Sequence, residues 1–174
     1  MKRVQDLETE QEAYKYYMDA VKRDGIPYEL IEKALPTIEG EVNDILAQMV
    51  DFGIVLEMDG KNINTYLAYD DDNVWPLELS SGMERFISSL AMRVGLINVC
   101  NLPRPNFLAI DEGFGNMDSD NLNSVYSLFQ YLKSQFQFAF IVSHIESMRD
   151  TVDSLLEISK ENGFSQLKLP SKFN

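Results

Sequence analysis

Two adjacent carboxylates, Asp111 and Glu112, follow the apolar run Phe107-Leu108-Ala109-Ile110 and precede Gly113-Phe114-Gly115-Asn116-Met117-Asp118. An acid at the end of a buried parallel strand can hold Mg²⁺, usually through water, while its neighbour orients and deprotonates a water attacking a nucleotide phosphate. Asp111 suits the first role and Glu112 the second, although Asp-Glu-Gly by itself also suits a plain polar turn. Ser81-Gly82, just ahead of a predicted helix, offers a small hydroxyl, a permissive backbone and first-turn amides to phosphate oxygens. Alone, that pair reads more readily as an ordinary helix cap. His144 is the only histidine and follows the strand-like run Phe140-Ile141-Val142-Ser143. Its predicted place is the same sheet end as Asp111, where a ring can hydrogen-bond a γ-phosphate and register its loss. The order of these three elements along the chain is more specific than any one of them.

The elements that must position these residues alternate in period. Val4, Leu7, Tyr14, Met18 and Val21 recur at three- and four-residue steps with Gln11 in the series, about three heptads of a coiled-coil helix, the alternative being an amphipathic helix packed on its own domain. Asp24-Gly25-Ile26-Pro27 breaks it, and residues 28–50 resume a helical pattern in which Pro36 predicts a kink or a restart. A hairpin is predicted from the strand-like runs 52–58 and 63–69 around Asp59-Gly60-Lys61-Asn62. Asp70-Asp71-Asp72-Asn73 reads as a solvated turn, because it lacks the alternating ligands and closing Glu of a calcium loop. A helix over 83–100 carries Met83, Phe86, Ile87, Leu90, Val94 and Ile97 on one stripe, with Ser81 at its N-cap. Strand 106–110, helix 119–133 (Leu122, Val125, Tyr126, Phe129 and Leu132 inward), strand 137–142, a short helix and two last strands near 154–159 and 165–169 complete the pattern. Strands alternating with helices predict a largely parallel sheet.

Composition narrows the function classes. A chain of 174 residues can bury a full core, and its net charge of −13 argues against wrapping a nucleic acid backbone unaided. Cys100, the single cysteine, leaves no disulfide framework within one chain and is expected to be a buried thiol. No apolar run approaches the ~20 residues that span a bilayer, and the charged N-terminus is unlike a signal peptide, so a cytoplasmic protein is expected.

Taken together, Ser81-Gly82-Met83-Glu84-Arg85, Leu90-Ala91-Met92-Arg93, the acidic strand, Asn116-Met117-Asp118 and Ser143-His144 resemble the C-terminal lobe of an ABC-type ATPase head. Within that superfamily the chain is most similar to SbcC-type DNA repair ATPases, relatives of the SMC proteins, over about residues 4–169. The resemblance implies an α/β lobe (25–174) with a mostly parallel sheet and flanking helices, preceded by a coiled-coil root (1–24). It implies that Ser81, Gly82, Met83 and Glu84 form the signature motif, which contacts the γ-phosphate of ATP on the opposite head. Asp111 becomes the Mg²⁺-associated acid, Glu112 the general base, Asp118 part of a loop crossing the dimer interface, and His144 the switch histidine. One departure stands out: Met83 falls where the family usually has a second glycine, adding a side chain beside the expected phosphate. A register shifted by one residue pairs Ser81 with the first glycine instead.

No Gly-x-x-x-x-Gly-Lys-Ser/Thr occurs, and Gly60-Lys61-Asn62 lacks both the earlier glycine and the following hydroxyl. The resemblance supplies the reason, since that Walker A motif belongs to an N-terminal lobe beyond the coiled coil. The chain is therefore expected to be one part of a longer polypeptide and inactive as an ATPase alone. The implied partners are the Walker A lobe, a second head in a homodimer, an SbcD-type nuclease and DNA, with ATP and Mg²⁺ as cofactors and no membrane. An SMC-like tethering ATPase without nuclease and a non-catalytic scaffold are the alternatives. Retention of Asp111, Glu112 and His144 counts against the scaffold.

Overall fold

The computed structural model describes residues 2–60, 62–111 and 122–168. The chain divides into two compact units, Met1–Arg104 and Pro105–Asn174.

The first unit begins with α1 (Lys2–Val21), whose Val4, Leu7, Tyr14, Met18 and Val21 are all half exposed or more. A heptad seam that faces solvent is what a coiled-coil helix without its second strand presents. Gly25 closes the turn into α2 by donating its N–H to the Lys22 carbonyl at 2.9 Å. A Cβ at Gly25 would lie 2.5 Å from the Asp19 and Ala20 carbonyl oxygens, so no other residue fits without movement. Helix α2 (Ile26–Leu46) carries Pro27 in its first turn, where a missing N–H costs nothing. It then runs through Pro36 as one element, so the restart expected there does not occur.

Burial along α2 is lopsided: Leu30 and Ile31 are exposed, whereas Leu35, Val42, Ile45 and Leu46 are buried. The buried half packs on α3 (Gly82–Val99), which contributes Met83, Ile87, Leu90, Ala91 and Val94. The helices approach closely at Gly95, where a Cβ would stand 2.8 Å from Val42 Cγ2.

The expected hairpin is present as β1 (Gly53–Asp59) and β2 (Asn62–Ala68), antiparallel from Gly53↔Ala68 to Asp59↔Asn62, with β3 (Val74–Pro76) added to β2. Side chains of α2 cover the outer edge of β1. The Asn43 amide donates to the Ile54 carbonyl at 2.9 Å and accepts the Ile54 N–H at 2.8 Å, while Glu39 accepts the Leu56 N–H at 2.6 Å. Edge groups that would otherwise recruit another strand are thus satisfied within the unit. The acidic loop spends its first carboxylate on itself: Asp70 accepts the N–H groups of Asp72 and Asn73 at 3.0 and 2.9 Å.

Cys100 departs from expectation. It is the C-cap of α3, one residue beyond the helix, and its thiol is exposed, with Sγ accepting the Leu102 N–H at 3.2 Å. Burial along α3 ends at Gly95, and Leu96 is already 48% exposed, so the core that was expected to hold the thiol stops several residues before it.

In the second unit β4 (Phe107–Asp111) and β5 (Phe138–Val142) pair in parallel, with α4 (Leu122–Gln135) between them in sequence. Val125, Leu128, Phe129 and Leu132 are buried along α4. Tyr126, expected inward, is 56% exposed, because the stripe 125-128-129-132 leaves position 126 on its flank. A 3₁₀ segment, Glu146–Thr151, leads to a hairpin of β6 (Glu157–Glu161) and β7 (Phe164–Lys168). Asn162 and Gly163, at φ 52° and 85°, make its turn, the Asn-Gly chemistry that matches strand twist. The class is the mixed α/β expected, led by a long helix. Among the described residues parallel pairing is confined to β4–β5, and the other two sheets are antiparallel.

Candidate functional site

The N-terminus of α3 gathers four of the anticipated residues. Ser81 is its N-cap: Ser81 Oγ accepts the Glu84 N–H at 3.3 Å, and Glu84 Oε2 accepts the Ser81 N–H at 2.7 Å, a reciprocal capping box. The amides of Gly82 and Met83 open the helix, where no intrahelical acceptor exists for them and the helix dipole favours an anion. The Met83 side chain, expected beside the phosphate, is instead buried at 6% exposure and belongs to the core under α3. The part of Met83 left at the helix start is its backbone N–H. The segment entering the helix is held by Arg85, whose guanidinium donates to the carbonyls of Glu78 at 2.6 Å and Ser80 at 3.2 Å. Ser80 Oγ donates in turn to the Leu77 carbonyl at 2.7 Å.

A residue not anticipated from the sequence completes this cluster. Tyr69, just past β2, donates its hydroxyl to Glu84 Oε1 at 2.5 Å. Its ring contacts those of Phe52 and Trp75, with centroids 5.6 and 5.5 Å away. The bond to Glu84, with burial second, pushes the Tyr69 phenol up to about 12. For Glu84 burial is the largest influence and raises the carboxyl, but the Tyr69 hydroxyl and the Ser81 donors outweigh it and hold the group below its usual value. No motif marks Tyr69 in the sequence; an aromatic ending a strand is ordinary, and only the hairpin's return brings it to α3.

The second cluster lies at the C-terminal end of β4–β5. The parallel register sets Asp111 opposite Val142, two residues before His144, so the acid and the histidine leave the sheet at the same end as anticipated. Asp111 and His144 are both exposed, and Ser143 Oγ accepts the Ile145 N–H at 3.2 Å in the turn that follows. An exposed carboxylate at a strand end is a hard oxygen donor of the kind Mg²⁺ takes, with most of its remaining ligands from water and phosphate. Glu112 and Asp118 lie outside the described residues. On one face of the strand pair Phe107, Phe138, Phe140 and Val142 are 44–56% exposed, and Phe107 stacks on Phe138 at 5.5 Å. Buried parallel strands are normally covered on both faces.

Comparison with known proteins points one way. The chain is 34% identical over 182 residues to an uncharacterised protein of Acanthamoeba polyphaga mimivirus, a match covering 95% of this chain and 14% of that protein. It is 33% identical over 91 residues to the SbcC component of the SbcCD nuclease of Pseudomonas aeruginosa, covering 51% of this chain and 8% of that one. The Smc head domain of Pyrococcus furiosus, solved with an extended coiled coil and bound to the C-terminal domain of ScpA, superposes with a TM-score of 0.68. That likeness covers 99% of this chain and 44% of the other at 17% identity. No family model matches the chain. The chain thus spans a small fraction of the length of the curated relatives it matches.

Proposed function

We propose that this chain, which corresponds in sequence and fold to the C-terminal region of an SbcC/SMC-type ATPase head, supplies half of an ATP-hydrolysing head in a DNA double-strand-break repair complex. The observation that carries the reading is the β4–β5 register, which sends Asp111 and the Ser143-His144 turn out of one sheet end in a chain with SbcC-like sequence.

In this reading two composite heads close on two ATP molecules. Each nucleotide lies between the Walker A lobe of one head and the α3 N-terminus of the other. Ser81 Oγ and the Gly82 and Met83 amides bind γ-phosphate oxygens, Asp111 would hold Mg²⁺, and His144 hydrogen-bonds the γ-phosphate. Mg²⁺, when bound, would neutralise phosphate charge. Glu112 takes the proton from a water in line with the γ-phosphate, and Asp118 contacts the partner head. Loss of the phosphate reopens the heads and passes movement through α2 into the α1 coiled coil. The bare apolar face of β4–β5 supports an N-terminal lobe as its cover, and the solvent-facing seam of α1 supports a second coiled-coil strand. An SbcD-type nuclease near the coiled-coil root and DNA over the closed heads complete the proposal. The likeness to an Smc head solved with ScpA favours a second reading, a DNA-tethering ATPase of the same cycle without nuclease.

The test is Mg²⁺-dependent ATP hydrolysis by this chain co-expressed with the N-terminal lobe of its parent protein. Hydrolysis is expected to need both lobes and to fall by about 10²–10⁴-fold in Glu112→Gln, while ATP-dependent dimers persist. A folded two-lobe complex with neither hydrolysis nor nucleotide-dependent dimers rejects the catalytic reading. Co-purification of a nuclease through residues 1–50 separates repair from tethering.

A further inference from the structure

Glu84 presents a difficulty to the reading above. It places a negative charge in the first turn of the helix that is to receive a γ-phosphate, and a carboxylate free to swing there competes for the same amides. The structure removes that freedom. One carboxylate oxygen is held by the Ser81 N–H at 2.7 Å and the other by the Tyr69 hydroxyl at 2.5 Å, while the Glu84 N–H is tied to Ser81 Oγ at 3.3 Å. A capping box needs only the first and last of these. The Tyr69 bond is additional, and it comes from a different element, the return of the β1–β2 hairpin.

Tyr69 is 43% exposed, but its ring touches both Phe52 and Trp75, and its backbone N–H is tied to the Asn73 carbonyl at 3.1 Å. Ring contacts and a tied backbone favour one placement of the hydroxyl, and a donor so placed favours one geometry of its neighbour.

We propose that Tyr69 is the positioning residue of this phosphate site: its hydroxyl pins the Glu84 carboxylate back onto Ser81, keeping Glu84 off the first-turn amides and Ser81 Oγ aimed for the incoming γ-phosphate. The inference rests on the assignment of the α3 N-terminus as the phosphate contact. It makes the hairpin, through one phenol, part of the machinery of nucleotide-dependent head closure. The raised Tyr69 phenol and the lowered Glu84 carboxyl agree with a donor that stays protonated beside an acceptor that stays charged.

The experiment uses the full-length parent protein and compares wild type, Tyr69→Phe, Ser81→Ala and Glu84→Gln. The phenylalanine keeps the ring contacts with Phe52 and Trp75 and removes only the donor. In Tyr69→Phe the ATP concentration for half-maximal head dimerisation is expected to rise about threefold to tenfold, the net scale of one ordinary hydrogen bond. At saturating ATP kcat stays within about twofold, and Tm moves by less than about 3 °C. In a Glu84→Gln background the effect of Tyr69→Phe shrinks, because the two side chains act as one unit. An unchanged half-saturation, or a loss of kcat and Tm in proportion, overturns the inference. If Ser81→Ala disables ATP-dependent dimerisation while Tyr69→Phe does not alter it, Tyr69 alone loses its role. If Ser81→Ala also leaves dimerisation untouched, the phosphate site itself is misassigned.

Discussion

The two regions expected to handle phosphate are finished to different degrees. The α3 N-terminus is closed by its own unit: a reciprocal cap, an arginine on two preceding carbonyls, a tyrosine from the hairpin and a buried methionine beneath. The β4–β5 end is open, with Asp111 and His144 exposed and a stacked phenylalanine pair on a half-bare face. The difference teaches where each region gets its rigidity. A helix terminus can be preorganised by side chains within reach of its first turn, whereas the end of a two-stranded sheet is fixed only when more strands flank it. Under the proposed function this is also a division of labour. The α3 end must stay ready to meet the other head, and the strand end becomes a catalytic site only once the N-terminal lobe joins it.

The largest expected effect tests that contrast directly. Leu46 is fully buried, so Leu46→Ala should cost about 2–5 kcal/mol in urea unfolding of this chain alone. Phe140, 51% exposed, should cost under about 1 kcal/mol in the same measurement. With the N-terminal lobe bound, Phe140→Ala should become a core truncation of about 3–5 kcal/mol, the range for a buried aromatic. A Phe140 cost that is the same with and without the lobe would break the comparison, because the bare face would then not be the docking face.

Much of the first region was legible in the sequence, and the reasons are local. Ser81 followed three residues later by Glu84 is the pattern of a capping box, and the stripe of Ile87, Leu90 and Val94 gives α3 its buried face. The antiparallel hairpin was equally readable from its period and its Asp59-Gly60 turn. What escaped is whatever depends on residues distant in sequence. The inward turn of the Met83 side chain escaped because a spacing cannot say which side of the first turn faces the core. Tyr69 carried no signal because its partner lies fifteen positions away, across a loop and a 3₁₀ turn. Cys100 and Tyr126 failed for the opposite reason: each was assigned by residue type to a stripe that the helical period had already left. In the second region the order of elements and the shared exit of Asp111 and His144 were legible. Of the parallel sheet expected around them, the described residues carry the β4–β5 pair.

A smaller effect separates structure from chemistry at the two sites. Ser81→Ala removes the α3 cap and should cost about 0.5–2 kcal/mol of stability, besides its effect on dimerisation. Asp111→Asn changes an exposed side chain and should stay within about 0.5 kcal/mol, while Mg²⁺-dependent hydrolysis by the two-lobe complex is lost. Thermal unfolding of both variants beside their ATPase rates makes the measurement. Equal stability losses would mean that Asp111 is as structurally committed as Ser81 and that the two ends are not built on different principles.

The smallest effect is the most specific to the closed end. The folded Glu84 carboxyl lies below its ordinary 4.5, so the stabilisation from its contacts is fully present above that value and is lost as pH falls through the lower folded value. The folded Tyr69 phenol lies at about 12 against an ordinary 10.0, so its contribution is fully present below pH 10.0 and is lost as pH rises towards about 12. Both losses concern the same hydrogen bond. The stability difference between wild type and Tyr69→Phe should therefore be flat from about pH 5 to 9 and shrink outside that window on both sides. The pair is only partly buried, so the plateau should stand well under about 1 kcal/mol, readable as a Tm difference across a pH series. A flat difference at every pH for Tyr69→Phe would mean that the phenylalanine loses packing and not a bond to a charged carboxylate. The closed end would then owe its order to the capping box alone.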